Sequence, residues 1–231
     1  MDKSDNGLEI DRYITKYCMS DIFTKDMKPY MELLYYKKNE LIIKENEEII
    51  YLIFIVKGKA KVYVTLSNGK SLLLGFYQGF KVLGDLEFVD LRKATGNVQV
   101  IEDTYCIGIS YENVRKYLLE DAKFLRFICS SLGNKLYQCS KNSSINLLFP
   151  LKNRLASYII SIGEKIEDSS KERIIFDENL TETAELLGTS YRHLLRTLNN
   201  LCSKKILKKE NNYYEVVDKE SFKKLSADLY Q

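Results

Sequence analysis

The 231 residues include 35 Lys and Arg against 32 Asp and Glu, a formal charge of +3, with 45% hydrophobic and 29% charged residues. That composition suits a packed core under a solvated surface, and its near-neutral balance means that any surface for nucleic acid must come from local clustering. The single histidine, His193, excludes a His triad, a multi-His metal site and a His–Cys zinc site.

The cysteines stand at 18, 106, 129, 139 and 202, an odd number at wide spacings without a C-x-x-C pair. Reduced thiols in a cytoplasmic protein are expected rather than a disulfide framework. The polar start Met1-Asp2-Lys3-Ser4-Asp5 precedes no long apolar run, so no signal peptide is expected. No stretch of about 18 apolar residues occurs, so no membrane span is expected either.

Residues 8–31 mix charge with Ile10, Tyr13, Ile14 and Tyr17 and predict a short helical lead-in. From 32 to 109 the texture turns to short β-rich runs: Leu41–Ile43, Tyr51–Val56, Lys61–Val64, Leu72–Phe76 and Tyr105–Ile109. Lys57-Gly58 and Ser67-Asn68-Gly69 read as hairpin turns, since Asn-Gly tolerates positive φ. Strands spaced by roughly 8–12 residues without a helix-length segment between them predict an antiparallel barrel or roll.

After Ser110, Tyr111–Leu119 reads as a short helix, and Asp121 is positioned to cap a longer one. Along it Leu125, Ile128, Leu132, Leu136 and Cys139 recur at steps of three and four, and Leu125, Leu132 and Cys139 fall seven apart. Such a seam can pack on the roll or on a partner helix, and Leu125, Ile128, Leu132 and Cys139 are its candidate dimer residues. Asn142-Ser143-Ser144 should loosen this helix and Phe149-Pro150 should end it. Leu151–Glu167 predicts a further helix with Leu155, Tyr158, Ile159 and Ile162 on one face. Helical segments at 180–187 and 191–202 follow, then a hairpin with Ile206–Lys209 and Tyr213–Val217 flanking Glu210-Asn211-Asn212.

The strongest motif is NLTETAELLGTSYRHLLRTLNNL, residues 179–201. Asn179 and Glu182 have capping-box spacing. Ala184 permits close helix crossing, Gly188 supplies the turn and Ser190 caps the second helix, which together predict a helix-turn-helix. The second helix should bury Leu194, Leu195 and Leu198 and turn Tyr191, Arg192, Arg196 and Asn199 elsewhere. From Leu186 through Lys209 there are six basic residues (Arg192, Arg196, Lys204, Lys205, Lys208 and Lys209) and no acidic one. Arginine pairs with guanine in the major groove and lysines attract phosphates. Thr189, Ser190, Tyr191, Arg192, His193, Arg196, Lys204 and Lys205 are therefore the candidate DNA-binding residues, and double-stranded DNA is the expected partner.

This order of roll, long helix, helix-turn-helix and wing resembles the Crp/Fnr family of bacterial transcription regulators, with FPLKNRLASYI and LGTSYRHLLRTL among the segments that carry the likeness. The resemblance covers nearly the whole chain. It implies an α+β fold with a cyclic-nucleotide-binding-like antiparallel β-roll over 1–120, a dimerisation helix and hinge over 121–147, and a winged helix-turn-helix over 148–231. It also implies a homodimer, a palindromic operator and contact with RNA polymerase. By motif position Tyr191, Arg192 and Arg196 would read bases, although Arg192 stands where many relatives carry Glu, so the half-site preference does not carry over.

The resemblance extends to a phosphate-binding cassette opening at Gly84-Asp85-Leu86-Glu87-Phe88, with Asp85 in the place of a ribose-contacting Glu. An Arg and a small residue should follow, but the register back from Ile107-Gly108-Ile109-Ser110 puts Ala94-Thr95 there, with Arg92 and Lys93 displaced by one or two positions. Gly84, Asp85, Leu86, Arg92 and Thr95 are the candidate effector-pocket residues. The expectation is a roll without cyclic-nucleotide binding, and a shifted loop bringing Arg92 into place is the alternative. An iron–sulfur cluster is not expected, because Cys18 and Cys106 alone stand in suitable places and one site needs four thiolates. Cys139 on the seam leaves a thiol-responsive dimer as a competing sensor reading. No metal, no cofactor and no enzymatic activity are expected, since neither a nucleophile–base pair nor a phosphate loop of an NTPase is present.

Overall fold

The computed structural model describes residues 2–4, 7–90, 92–168, 171–227 and 229–230. The chain divides into two compact units, residues 1–64 with 77–138 and residues 65–76 with 139–231.

In chain order the first part gives β1 (Asp2–Ser4), α1 (Gly7–Lys16), 3-10 turns at Met19–Ile22 and Lys28–Tyr30, β2 (Met31–Tyr36), β3 (Leu41–Ile43), β4 (Tyr51–Lys57), β5 (Lys59–Thr65), β6 (Ser71–Gln78) and β7 (Lys81–Leu83). Then come α2 (Asp85–Asp90), β8 (Asn97–Val100), β9 (Thr104–Ser110), α3 (Tyr111–Tyr117) and α4 (Ala122–Leu148). One sheet runs β1-β2-β9-β4-β7 and the other β3-β8-β5-β6. The β-rich runs of the sequence are strands, as expected. A short helix, α2, nevertheless sits between β7 and β8, because six residues are too few for a helical period to register in the sequence.

β4 explains how the roll is filled. Its unbroken run Leu52–Val56 is buried throughout, the pattern of a strand covered on both faces. Leu52, Phe54 and Val56 enter one core with Phe23, Ile107 and Phe124. Ile53 and Ile55 enter a second with Leu34, Val100 and Cys106. Phe54 stacks at 5.7 Å on Phe80, and Phe23 at 6.0 Å on Phe124.

Asp121 starts α4 as expected. Its Oδ1 accepts from the N–H groups of Lys123 at 2.9 Å and Phe124 at 3.2 Å. The same carboxylate also holds the Thr24 loop, accepting from the Thr24 N–H at 2.6 Å and its hydroxyl at 2.9 Å. Burial pushes this carboxyl up, but the donors outweigh it and hold it below its ordinary value.

Two expectations for α4 are corrected. Ile128 is 3% exposed and lies in the roll's own core with Phe124, so it is not available to a dimer seam. The helix also continues unbroken through Asn142-Ser143-Ser144. The Ser144 hydroxyl bonds back to the Ser140 carbonyl, a local bond that a helix accommodates.

The second unit contains α5 (Leu151–Ile162), β10 (Glu164–Asp168), β11 (Lys171–Phe176), α6 (Leu180–Leu186), α7 (Tyr191–Ser203), β12 (Leu207–Lys209), β13 (Tyr214–Val216) and α8 (Lys219–Ser226), with the sheet ordered β10-β11-β13-β12. The helix expected to reach Glu167 ends at Ile162, and β10 begins at Glu164. Gly163 marks the stop: a side chain there would meet the Ile159 carbonyl at 2.6 Å and Ile174 at 2.7 Å. Tyr158 of α5 is buried between Phe76 and Phe176. The α5 side chains Asn153 and Ser157 bond the Leu225 carbonyl and the Tyr230 N–H, seating α8 and the chain's end. Among the described residues no helix is long and apolar enough to cross a membrane.

Candidate nucleic-acid interface and sensor cassette

The helix-turn-helix is built from the local signals that announced it. Asn179 Oδ1 accepts from the Thr181 and Glu182 N–H groups at 2.8 and 3.2 Å, capping α6. Ala184 is buried, and Gly188 turns the chain with φ +59°, a conformation costly for any residue with a side chain. The N–H of Thr189 bonds the Ala184 carbonyl at 2.9 Å, closing the turn. Ser190 Oγ then accepts from the His193 N–H at 3.2 Å and caps α7. Arg154 of α5 braces the turn from below, donating from Nη1 to the Leu187 carbonyl at 2.5 Å and from Nε to the Phe149 carbonyl at 3.2 Å.

α7 separates its faces sharply. Leu194, Leu198 and Leu201 are buried. Leu195, expected inside, is only half-buried, and Leu201 takes the third core position instead. The substitution follows from helical spacing: 194, 198 and 201 share one face at steps of four and three, whereas 195 is rotated by about 100° from 194.

The outer face carries Ser190, Tyr191, Arg192, His193 and Arg196, all exposed, with Thr189 half-buried at the turn. Tyr191 is 48% exposed, unusual for a large ring in a small domain. The His193 ring is engaged by the Thr189 hydroxyl at 3.2 Å. Lys204 and Lys205 follow, both exposed. The wing is β12 and β13, paired from Leu207↔Val216 to Lys209↔Tyr214. Of the six basic residues in this stretch, Lys208 is paired, its Nζ 2.5 Å from Glu210 Oε1 at the wing tip.

The cassette is arranged otherwise than expected. Gly84 adopts φ +81°, and a side chain there would meet the Tyr111 hydroxyl at 2.7 Å, so glycine is required at its opening. Asp85 is 1% exposed. Its Oδ1 lies 2.5 Å from Lys135 Nζ, and Oδ2 accepts from the Ser131 hydroxyl at 3.2 Å, both from α4. Lys135 also lies 5.7 Å over the Tyr77 ring, a cation–π contact. Leu86 and Arg92 are exposed, so neither lines an interior pocket with Asp85. Thr95 gives both its N–H and its hydroxyl to Glu87 Oε1, each at 3.3 Å.

Sequence reading missed Glu87 and Lys135. A second acidic residue two positions after Asp85, in a stretch that resembles a phosphate-binding cassette, was the available signal for Glu87. Lys135 had none, since it acts across 50 residues.

On α4, Leu125 and Cys139 are exposed and Leu132 is half-buried against the roll core. Cys129 and Leu136 share their outward side, Leu136 being 72% exposed. Residues 125, 129, 132, 136 and 139 thus alternate at steps of four and three, the spacing of a helix–helix stripe. Of the cysteines, Cys106 is buried, and burial pushes its thiol far up, while Cys18, Cys129 and Cys139 are exposed. Among the described residues no three His, Cys, Asp or Glu side chains are grouped to hold a metal ion.

The family described as the cyclic nucleotide-binding domain matches residues 33–121. The chain is 29% identical over 216 residues to the regulatory protein YeiL of Escherichia coli O157:H7, covering 94% of this chain and 95% of that one. Among solved structures, a regulator of the crp/fnr family from Eubacterium rectale superposes with a TM-score of 0.73 at 12% identity, covering 94% and 99% of the two chains. TTHA1359, a CRP/FNR-family transcriptional regulator from Thermus thermophilus, gives 0.67 at 14% identity over 85% and 98%. At those identities the structures establish the shared fold, and YeiL carries the likeness at the level of sequence. The chain thus matches the cyclic nucleotide-binding domain family over residues 33–121, is similar to the regulatory protein YeiL over most of its length, and shares the fold of the crp/fnr-family regulators on which it superposes.

Proposed function

We propose that this chain is a homodimeric, sequence-specific DNA-binding regulator of transcription, not an enzyme, acting in the cytoplasm. The observation that carries the reading is α7: a helix anchored by Leu194, Leu198 and Leu201 whose opposite face exposes Tyr191, Arg192, His193 and Arg196. Arg192 and Arg196 stand four residues apart, about one turn, so both reach one groove. Arginine reads guanine bidentately there, while Thr189 and Ser190 at the helix start and Lys204 and Lys205 beyond its end serve the phosphates on either side.

In this reading residues 1–120 are the sensor roll, 121–147 the dimerisation helix and hinge, and 148–231 the DNA-binding domain. A second copy covers the α4 stripe of Leu125, Cys129, Leu132, Leu136 and Cys139. Two-fold symmetry then sets a palindromic operator with half-sites about one helical turn apart. RNA polymerase is the further partner that regulation of transcription requires.

The experiment is selection of bound fragments from random duplex DNA, run with wild type, Arg192→Ala and Arg196→Ala. The expected result is a palindromic consensus that relaxes at one position per half-site in each variant, with a loss of about 1–3 kcal/mol per arginine. Weak, strongly salt-sensitive binding that ignores both substitutions would overturn the reading.

A further inference from the structure

The stretch 84–95 lies inside the domain matched to cyclic-nucleotide binding, yet its two buried carboxylates, Asp85 and Glu87, are already matched by the chain's own donors. Glu87 is 7% exposed, and a carboxylate buried to that degree must be met by donors. It is met by the Thr95 N–H and the Thr95 hydroxyl, both directed at the single oxygen Oε1. A backbone N–H and a neighbouring hydroxyl converging on one anionic oxygen form a donor pair that a phosphate oxygen would equally accept. Any phosphate brought to that pair would also face the Glu87 charge at hydrogen-bonding range, where like charges strongly disfavour one another.

The second carboxylate is closed in the same way. Asp85, almost wholly inaccessible, takes its counter-charge from Lys135 of α4 and a further hydrogen bond from Ser131 one turn earlier. An ion pair buried on one side makes loss of the cation alone far more damaging than loss of both charges. The cassette and the long helix are therefore joined by the protein's own groups, all within the first unit.

We propose that Thr95 forms an anion seat that the chain fills with its own Glu87 carboxylate and that Asp85–Lys135 closes against α4, so that the roll excludes cyclic nucleotides and needs none. This rests on the DNA-binding reading only for its consequence, that operator binding is independent of a nucleotide effector.

The test uses the full chain, with calorimetric titration of cyclic AMP, cyclic GMP and inorganic phosphate into wild type, Glu87→Ala and Glu87→Gln. Wild type is expected to take up none of them at millimolar concentration. Glu87→Ala, which vacates the seat, is expected to gain at least about tenfold in affinity for one or more, with Glu87→Gln, which removes only the charge, in between. In parallel, Lys135→Met is expected to lower the melting temperature, and adding Asp85→Asn to it to recover most of the loss, because the unpaired buried charge is then gone.

Nucleotide binding by wild type would overturn the proposal. So would two Glu87 variants as unresponsive as wild type, or a double variant no better than Lys135→Met alone. The titrations involve no DNA, so a failure of the operator selection with a gain at Glu87→Ala would strike the DNA reading and leave the seat standing.

Discussion

The cassette at 84–95 and the helix α7 use charge in opposite ways. In the cassette, Asp85 and Glu87 turn inward and are matched donor by donor, so their charge holds structure together. On α7, Arg192 and Arg196 turn outward over a face of leucines, with no ion-pair partner among the described residues, so their charge is available to a ligand. The wing shows the boundary between the two uses, since Lys208 is drawn to Glu210 while Lys204 and Lys205 remain directed to solvent. A charged residue becomes structural when burial forces a partner on it, and functional when the core beneath it frees it from needing one.

The sharpest way to break the contrast is to remove what supports the outward face. Leu198 is fully buried on the inner face of α7, and Leu198→Ala is expected to cost about 2–5 kcal/mol, read as an earlier chemical unfolding transition of the second unit. Operator binding should fall with it although no DNA-facing side chain has changed. Retention of both would mean that α7 is held by something other than this leucine face.

A smaller effect tests the inward use of carboxylates at a third site. Asp121 caps α4 and ties down Thr24, so Asp121→Ala is expected to cost about 1–2 kcal/mol. The folded carboxyl lies below its ordinary value of 3.8, so its stabilisation is complete above that value and is lost as the pH falls through the lower folded one. Urea titrations between neutral pH and the acid range should show wild type converging on the variant in acid, and a gap independent of pH would refute the assignment.

The smallest effect lies in the outward lysines. Lys204→Ala and Lys205→Ala should each leave the selected DNA sequence unchanged and reduce the slope of log affinity against log salt by about 0.9. A changed consensus would place these lysines on bases instead of phosphates.

Much of the second unit was legible in the sequence because its signals are short-range. Asn179, Gly188 and Ser190 act within four residues of themselves, so cap, turn and cap could be read directly. The β10–β11 hairpin was not legible, because the apolar positions of 151–162 continue a helical rhythm toward Ile166 and a single glycine, Gly163, marks where the helix ends. Leu195 was misplaced for a related reason: several leucines compete for the positions open to the core, and the helical angle of the packed face selects Leu201 over it.

By itself, the sequence determined the β-rich runs of the roll, the long helix after it, the capped helix-turn-helix and the basic run across it. These depend on periodicity and on hydrogen bonds between near neighbours. Only the tertiary structure decided that Ile128 belongs to the roll core, that Glu87 occupies the donors of Thr95, and that Lys135 reaches Asp85 across 50 positions. Those outcomes depend on which surfaces are brought together and desolvated, and a pairing between distant residues leaves no period in the chain from which it could be read.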